Sequence, residues 1–551
     1  MAEPRSVKEP DSGHDFRAKK RTFRGVMSCI AKTMPLCVTG LALGAQAAQP
    51  APELSRRPMQ AIIEFLSSDL LEGRAPGTRG GALAEAYVQS LFKLWDLEPG
   101  AGAGYLQEVP LKGYSTKQLT VEAASQTLKL GEDVMGTYAA DEGSFDLSAP
   151  ALFVGFGIAT PLWEWDDFKD ADVKGSFLIA RVNDPGLFID GIFEGKTLTY
   201  FGRWTYHVEE ALRRGAAGLL LIHTDETAGY GWNVVQNSWG GESLHLRGEV
   251  DNALKFRGWV KEESLKRVLA RKGIDLQKLY QASLSRDFKP VALGFSIRVR
   301  GRQSVRELTA HNVVADIPGR VKERIVLSAH IDHIGMKDSP RGDKIFNGAV
   351  DNGSAVAALL LTAKALKDRQ KELYYSVTVL ACQAEEAGML GSKHFVRAAA
   401  PGSIVADINF EATPVWERAG SIMGVGARYS TLEDLLKVVA KKRGWGYSEF
   451  SLVEQGFFYR SDQFSFARAG IPAVWISAGE DDASGERKYS AFWKTDYHTP
   501  KDEFHPDWPL GGLAQTVAAA LDLVAEIDGT REAPRWKGMR PFATTAGTGK
   551  P

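Results

Sequence analysis

Five short segments in the second half of the 551-residue chain combine histidine with carboxylate. They are SAHIDHIG at 328–335, GAVDNGSA at 348–355, AEEAGMLGS at 384–392, DINFE at 407–411 and DYHTPKDE at 496–503. Any one alone is an ordinary polar pattern, since a His-x-Asp is usually a surface pair and a Glu-Glu pair a solvated helix face. Together they suit a metal. Zinc takes imidazole nitrogen and carboxylate oxygen, and at a catalytic site keeps one position for water. Two zinc ions about 3.5–4 Å apart need one bridging carboxylate and roughly two further ligands each. Two histidines and three acids meet that demand. The Glu385–Glu386 pair follows the strand-like run SVTVLAC, which would deliver both carboxylates to a crevice.

The elements around these segments alternate. After Gly301 the apolar pattern predicts a strand at 325–328, a helix at 355–366, a strand at 377–382, a helix at 391–399 and a strand at 473–476. Such a rhythm implies an α/β fold with a mostly parallel mixed sheet sandwiched by helices. Functional groups in such sheets gather at the carboxyl ends of the strands, where all five segments fall. Residues 514–527 read as a last amphipathic helix. Met59, Ile62, Ile63, Leu66 and Leu70 recur at helical spacing, and 82–94 repeats the pattern. The LEGRAPGTRGG stretch between them, 71–81, reads as a loop, because its glycines do not follow a strand as a dinucleotide fingerprint requires.

Residues 140–295 change character, with strand-like runs at 151–157, 177–182 and 218–222 and a helical segment at 208–214. A Gly-rich loop around Tyr230, Trp232 and Trp239 follows. This part reads as an inserted smaller α/β or β-rich domain, and its aromatic loop is expected to cover part of the crevice and restrict substrates. The expected division is a leader at 1–47, a first peptidase-domain part at 53–139, the insert at 140–295, the catalytic part at 296–534 and an exposed tail at 535–551.

The leader is read from basic residues between Arg17 and Lys32, a short apolar stretch at 33–45 and the small-x-small site Ala45-Gln46-Ala47. The apolar stretch is shorter than the roughly 20 residues a membrane span needs. A secreted or periplasmic product without stable membrane insertion is expected, starting at Met1 or Met27. Net charge is −1 over the whole chain, and loss of 1–47 leaves −5. No global basic field exists to hold nucleic acid. Beyond the leader only Cys382 remains of three cysteines, which excludes an intrachain disulfide or a cysteine-rich zinc site.

The five segments, in this order and spacing, resemble the co-catalytic di-zinc aminopeptidases, a family that includes bacterial leucine-type aminopeptidases and glutamate carboxypeptidase. Upstream, GRWTYHVEEALRRGAAGLLLIHT at 202–224 resembles the protease-associated domain that some members carry as an insert. The resemblance implies a zinc-peptidase, phosphorylase/hydrolase-like fold and hydrolysis of peptide bonds, most simply release of amino-terminal residues from peptides. It implies two zinc ions, with Asp351 shared, His330 and Glu411 completing one site and Glu386 and His498 the other. A cis peptide is implied at Asp351–Asn352. Asp332 would accept a hydrogen bond from the far nitrogen of His330. Glu385 would be the general base, and Tyr497 would help polarise the substrate carbonyl. Glu411 stands where the family usually has Asp, with Asp407 as the alternative ligand.

Other residues carry plainer expectations. His333 reads as a loop or supporting histidine, RSDQFSF at 460–466 as pocket lining, and Cys382 as buried and inert. Two other functions fit the same scaffold: a glutaminyl-cyclase-like enzyme using one zinc, and a receptor-like homologue without catalysis. The complete ligand set favours hydrolysis.

Overall fold

The computed structural model describes residues 54–139, 142–239, 241–249, 254–337, 342–481 and 485–543. The expected leader lies outside them.

Strands covered on both faces must be apolar at every position, whereas strands with one wet face alternate. Four central strands are of the first kind. Val321–His330 lies between Tyr375–Cys382 and Ile404–Asn409, and Ala473–Ala478 follows on the far side, all parallel. Ile325, Leu327 and Ala329 point to one face, where helices Arg56–Leu66, Ala355–Asp368 and Gly511–Thr530 pack. Val326, Leu380 and Cys382 point to the other, with Phe395 of helix Leu390–Ala398 and Phe464 and Phe466 of helix Gln463–Arg468. Helix Ala355–Asp368 is apolar enough to suit a membrane, but it is a core helix, buried nearly all round. Cys382 is fully buried, and burial pushes its thiol well up, in keeping with an inert side chain.

The strand Val291–Ile317 is of the second kind along most of its 27 residues: Ile297 and Val299 are buried while Arg298 and Arg300 face water. From Ile297 to Val313 it pairs with Leu106–Ala123. Its first half also pairs with Gly143–Phe153, and its last residues with Tyr375–Cys382. Beyond Gly143–Phe153 the sheet continues in parallel through Phe177–Arg181, Gly218–His223 and Phe256–Lys261, ending on antiparallel Val134–Tyr138. The two halves of the chain therefore share one hydrogen-bonded sheet, and its longest strand runs through residue 295.

Two sequence expectations need correction. The stretch after Gly218–His223 is not a long loop but two helices, Asp225–Ala228 and Trp232–Trp239. Trp232 donates its indole N–H to the Gly131 carbonyl at 2.7 Å, and Trp239 sits edge-on to Trp204 and Trp259. These tryptophans pack the surroundings of their own sheet, because large rings bury area wherever a core is in reach. Residues 535–543, expected as exposed tail, are docked: Trp536 donates to the Gly470 carbonyl at 2.8 Å, and Phe542 packs edge-on to Phe464.

Trp239→Ala should therefore lower the melting temperature, by the equivalent of about 1–3 kcal/mol for a half-buried ring, and leave the preference among substrates as it was. Thermal melts beside a substrate panel decide this. An altered preference at unaltered stability would restore the covering role.

Candidate metal centre

Pairing of His330 with Cys382 places the ends of their two strands at the same edge of the sheet. His330 closes its strand, Glu385 and Glu386 follow Cys382, and Glu411 follows Asn409. Asp351 lies in the turn ahead of helix Ala355–Asp368, and His498 in the loop after helix Lys488–Thr495. The peptide joining Asp351 and Asn352 is cis.

These side chains converge. His330 Nε2 lies 3.4 Å from Asp351 Oδ1 and 3.3 Å from Glu411 Oε1. His498 Nε2 lies 3.3 Å from Asp351 Oδ2 and 3.2 Å from Glu386 Oε2. The two oxygens of Asp351 thus face different histidines, each accompanied by a further carboxylate. Asp351 Oδ2 and His498 Nε2 are both buried and, despite their closeness, make no hydrogen bond. Atoms that crowd together without donor–acceptor alignment are arranged as donors to a shared third centre, and this donor set fits two zinc ions bridged by one carboxylate.

His333 enters the same group. Its Nδ1 lies 2.8 Å from Glu386 Oε1 and 3.8 Å from Asp351 Oδ2, so a His333–Asp351–Glu386 cluster could also hold an ion. His333 is nevertheless hydrogen-bonded to Glu386, whereas His498 Nε2 approaches both carboxylates without a bond. We therefore assign His333 to holding Glu386 in place. Its signal was its position in the same loop as His330.

Electrostatics follow from this crowding. Burial would raise Glu386, but His498 and His333 hold it well below the ordinary carboxylate range. Burial and neighbouring Glu386 would also raise Asp351, yet the closeness of His330 and His498 draws it down. Burial alone would lower His498; facing Glu386 and Asp351, it rises to about 9. Burial pushes Glu385 well up against the pull of His330, with repulsion from Glu411 and Asp462 adding.

Asp332 differs from expectation. The far nitrogen of His330 meets the Asp332 main-chain carbonyl at 3.1 Å, with the carboxylate at 3.8 Å. That carboxylate instead accepts the backbone N–H groups of Glu385 at 3.1 Å and Glu386 at 3.3 Å. The tight turn after Cys382 leaves those N–H groups without strand partners, and Asp332 satisfies them. Between the two acids of DINFE, the structure brings Glu411 to His330. Asp407 lies within its strand, accepting from Ser328 Oγ at 2.7 Å, while Ser461 Oγ donates to Glu411 Oε2 at 2.5 Å. Tyr497 stacks on His498 with centroids 3.8 Å apart, and its hydroxyl accepts from Arg460 Nη2 at 3.2 Å. A cavity of about 280 Å³ opens beside the cluster, lined by Asp351, Glu385, Glu411, Arg460, Ser461, Tyr497 and the rings of Phe457, Trp475 and Trp493. RSDQFSF thus contributes Arg460 and Ser461 to the lining.

Three supporting residues escaped the sequence reading. Asp502 accepts the N–H groups of Val350 and Asp351 at 2.8 and 2.9 Å. Asn352 donates to the His330 carbonyl at 3.3 Å and accepts from Ala412 N at 2.7 Å, tying three loops together. Arg74, from the 71–81 loop, is fully buried and donates to the carbonyls of Ile331, Asn347, Gly348 and Leu66 at 2.5–3.1 Å. One guanidinium thus ties the loop ahead of Asp351 to the loop after His330.

Arg74→Met should leave those carbonyls without donors. Each lost charge-assisted bond is worth about 1.5–3 kcal/mol, so the melting temperature should fall sharply and metal retained after dialysis should decrease. Unchanged metal content and melting would show that the loops hold their shape unaided.

A sequence profile of Peptidase family M28 matches residues 312–522. Aminopeptidase YwaD of Bacillus subtilis (strain 168) is 27% identical over 205 residues, 35% of this chain and 40% of that protein. A probable leucine aminopeptidase of Trichophyton verrucosum (strain HKI 0517) is 29% identical over 177 residues, 30% of this chain and 45% of that protein. The chain thus spans less than half the length of these two curated relatives. Among solved structures, the aminopeptidase from Aneurinibacillus sp. strain AM-1 is 18% identical, with a TM-score of 0.48 over 87% of this chain and 94% of that one. Over residues 312–522 this chain is similar to peptidase family M28.

Proposed function

We propose that the protein is a zinc metallopeptidase that releases amino-terminal residues from peptides, with two ions per molecule. The observation that carries this reading is the division of Asp351 between two histidine–carboxylate pairs, with Glu385 in the adjoining cavity. His330 and Glu411 would hold one ion, Glu386 and His498 the other, and Asp351 would serve both. The ions supply Lewis acidity toward the scissile carbonyl and lower the pKa of water.

The chain's own groups do the rest. Glu385 takes a proton from the water that attacks the carbonyl carbon and delivers it to the amine nitrogen as the C–N bond breaks. Burial raises its carboxyl above the ordinary carboxylate range, which favours a group that returns its proton as well as taking it. Tyr497, whose hydroxyl burial keeps protonated, donates toward the carbonyl oxygen. Aromatic rings of Phe457, Trp475 and Trp493 exclude bulk water. The aminopeptidase relatives support the choice of peptide end, and the complete donor set disfavours the single-zinc and receptor-like readings. The insert is read as a protease-associated domain on the strength of its 202–224 segment, and export on the strength of the pattern at 17–47.

Glu385→Gln should cut turnover by about 10²- to 10⁴-fold while zinc per chain stays at two, measured by aminoacyl-amide hydrolysis and metal analysis. Near-normal turnover, or loss of metal, would refute its role as the base. Asp351→Ala should release both ions together on dialysis, and a variant still holding two would exclude the bridge.

A further inference from the structure

The Tyr497 hydroxyl ends a chain of hydrogen bonds that begins in the 140–295 region. The Gly229 carbonyl, at the end of helix Asp225–Ala228, accepts from Gln455 Nε2 at 2.5 Å. Gln455 Oε1 accepts from Arg460 Nη1 at 3.1 Å, and Arg460 Nη2 donates to the Tyr497 hydroxyl at 3.2 Å. The start of this chain is shaped for its partner. Gly229 has φ +77°, and a Cβ there would stand 3.1 Å from Gln455 Nε2, so both its conformation and the close approach ask for glycine. The turn that carries Gln455 is tied to the same region a second time, by the Leu198 N–H on the Val453 carbonyl at 3.1 Å.

The direction of every bond in the chain is set by its middle member. A guanidinium can only donate, so Arg460 gives a hydrogen to Gln455 and another to Tyr497. The Gln455 amide must then turn its oxygen to Arg460 and its nitrogen to the Gly229 carbonyl. On Tyr497 the same bond occupies a lone pair and leaves the phenolic hydrogen free. That hydrogen meets no acceptor among the described residues, and Tyr497 lines the cavity beside the metal centre. We propose that Gln455 is a positioning residue through which the 140–295 region orients Tyr497 as a donor toward the reacting carbonyl, so that docking of this region is part of what makes the site competent. This rests on the peptidase reading and adds to it a dependence on a distant segment. A donor aimed at an oxygen whose charge grows during reaction acts on turnover more than on substrate binding.

Gln455→Leu removes both amide bonds and keeps the bulk of the side chain. Loss of an oxyanion donor costs about 10²- to 10³-fold in kcat, so a misaimed one should cost the zinc-loaded enzyme about 10-fold or more on leucinamide, with KM within about twofold of native and zinc content unchanged. A kcat equal to the native value overturns the proposal. The double variant separates positioning from packing. In a Tyr497→Phe background, which has no hydroxyl to orient, Gln455→Leu should change kcat by less than about twofold. The same loss in both backgrounds would mean packing alone and overturns the proposal. Gln455→Glu can accept from Arg460 but has no hydrogen for the Gly229 carbonyl, so it should lose turnover as Gln455→Leu does. Native turnover in Gln455→Glu would show Arg460 and Tyr497 aligned without the 140–295 region, which also overturns it. Should Gln455→Leu fail to fold, Gln455→Glu carries the same double-variant comparison. Hydrogen–deuterium exchange reads the tie without turnover: amides of residues 225–231 should exchange faster in Gln455→Leu than in the native chain, and equal exchange overturns the tie. Hydrolysis of no peptide by the native enzyme would sink the peptidase reading, while the exchange experiment still tests the bond between Gln455 and Gly229.

Discussion

Asp351 and Glu411 are buried and Glu386 nearly so, and such a cluster of carboxylates exists only if positive charge is delivered into it. Everything around the centre serves that requirement. Histidines come from both sides, and the backbone is pinned by groups that give nothing to the reaction: Asp502 and Asp332 take up loose N–H groups, and Arg74 takes up loose carbonyls. Backbone bonds such as Ile331 N–H to Cys382 and Ala349 N–H to Asp502 join the loops carrying the ligands, and side chains from distant segments add to them. Metal affinity in this chain is in that sense a property of residues scattered from position 74 to position 502.

The same requirement explains the placement of the centre. Parallel strands end together, so four chain segments far apart in sequence arrive at one edge with free backbone groups. Short-range order in each strand converts to long-range convergence of side chains. The aromatic rings about the cavity lower its local dielectric, which strengthens every charge interaction inside.

The central strands, the flanking helices and the five metal-facing residues were legible because each rests on local pattern: apolar runs for doubly covered strands, helical spacing for their cover, and short motifs at strand ends. The long strand Val291–Ile317 was less legible. Its period-two alternation of Ile297, Val299 and arginines is present, but nothing local shows that one strand would serve two regions of sheet. Trp232 and Trp239 misled, since an aromatic-rich stretch reads the same whether it lines a site or packs a core. Arg74 and Asp502 act across more than a hundred residues, and a single sequence records no such contacts. Asp332 was located correctly, but its carboxylate had to be seen to bond to backbone.

The shared strand has a mechanical consequence. Because Val291–Ile317 is hydrogen-bonded both to Gly143–Phe153 and to Tyr375–Cys382, no flexible joint separates the two regions along that path. The strand acts as a beam clamped at both ends. Arg203 is carried by one region and Gly456 by the other, so the close approach of the two rests on the same clamped strand.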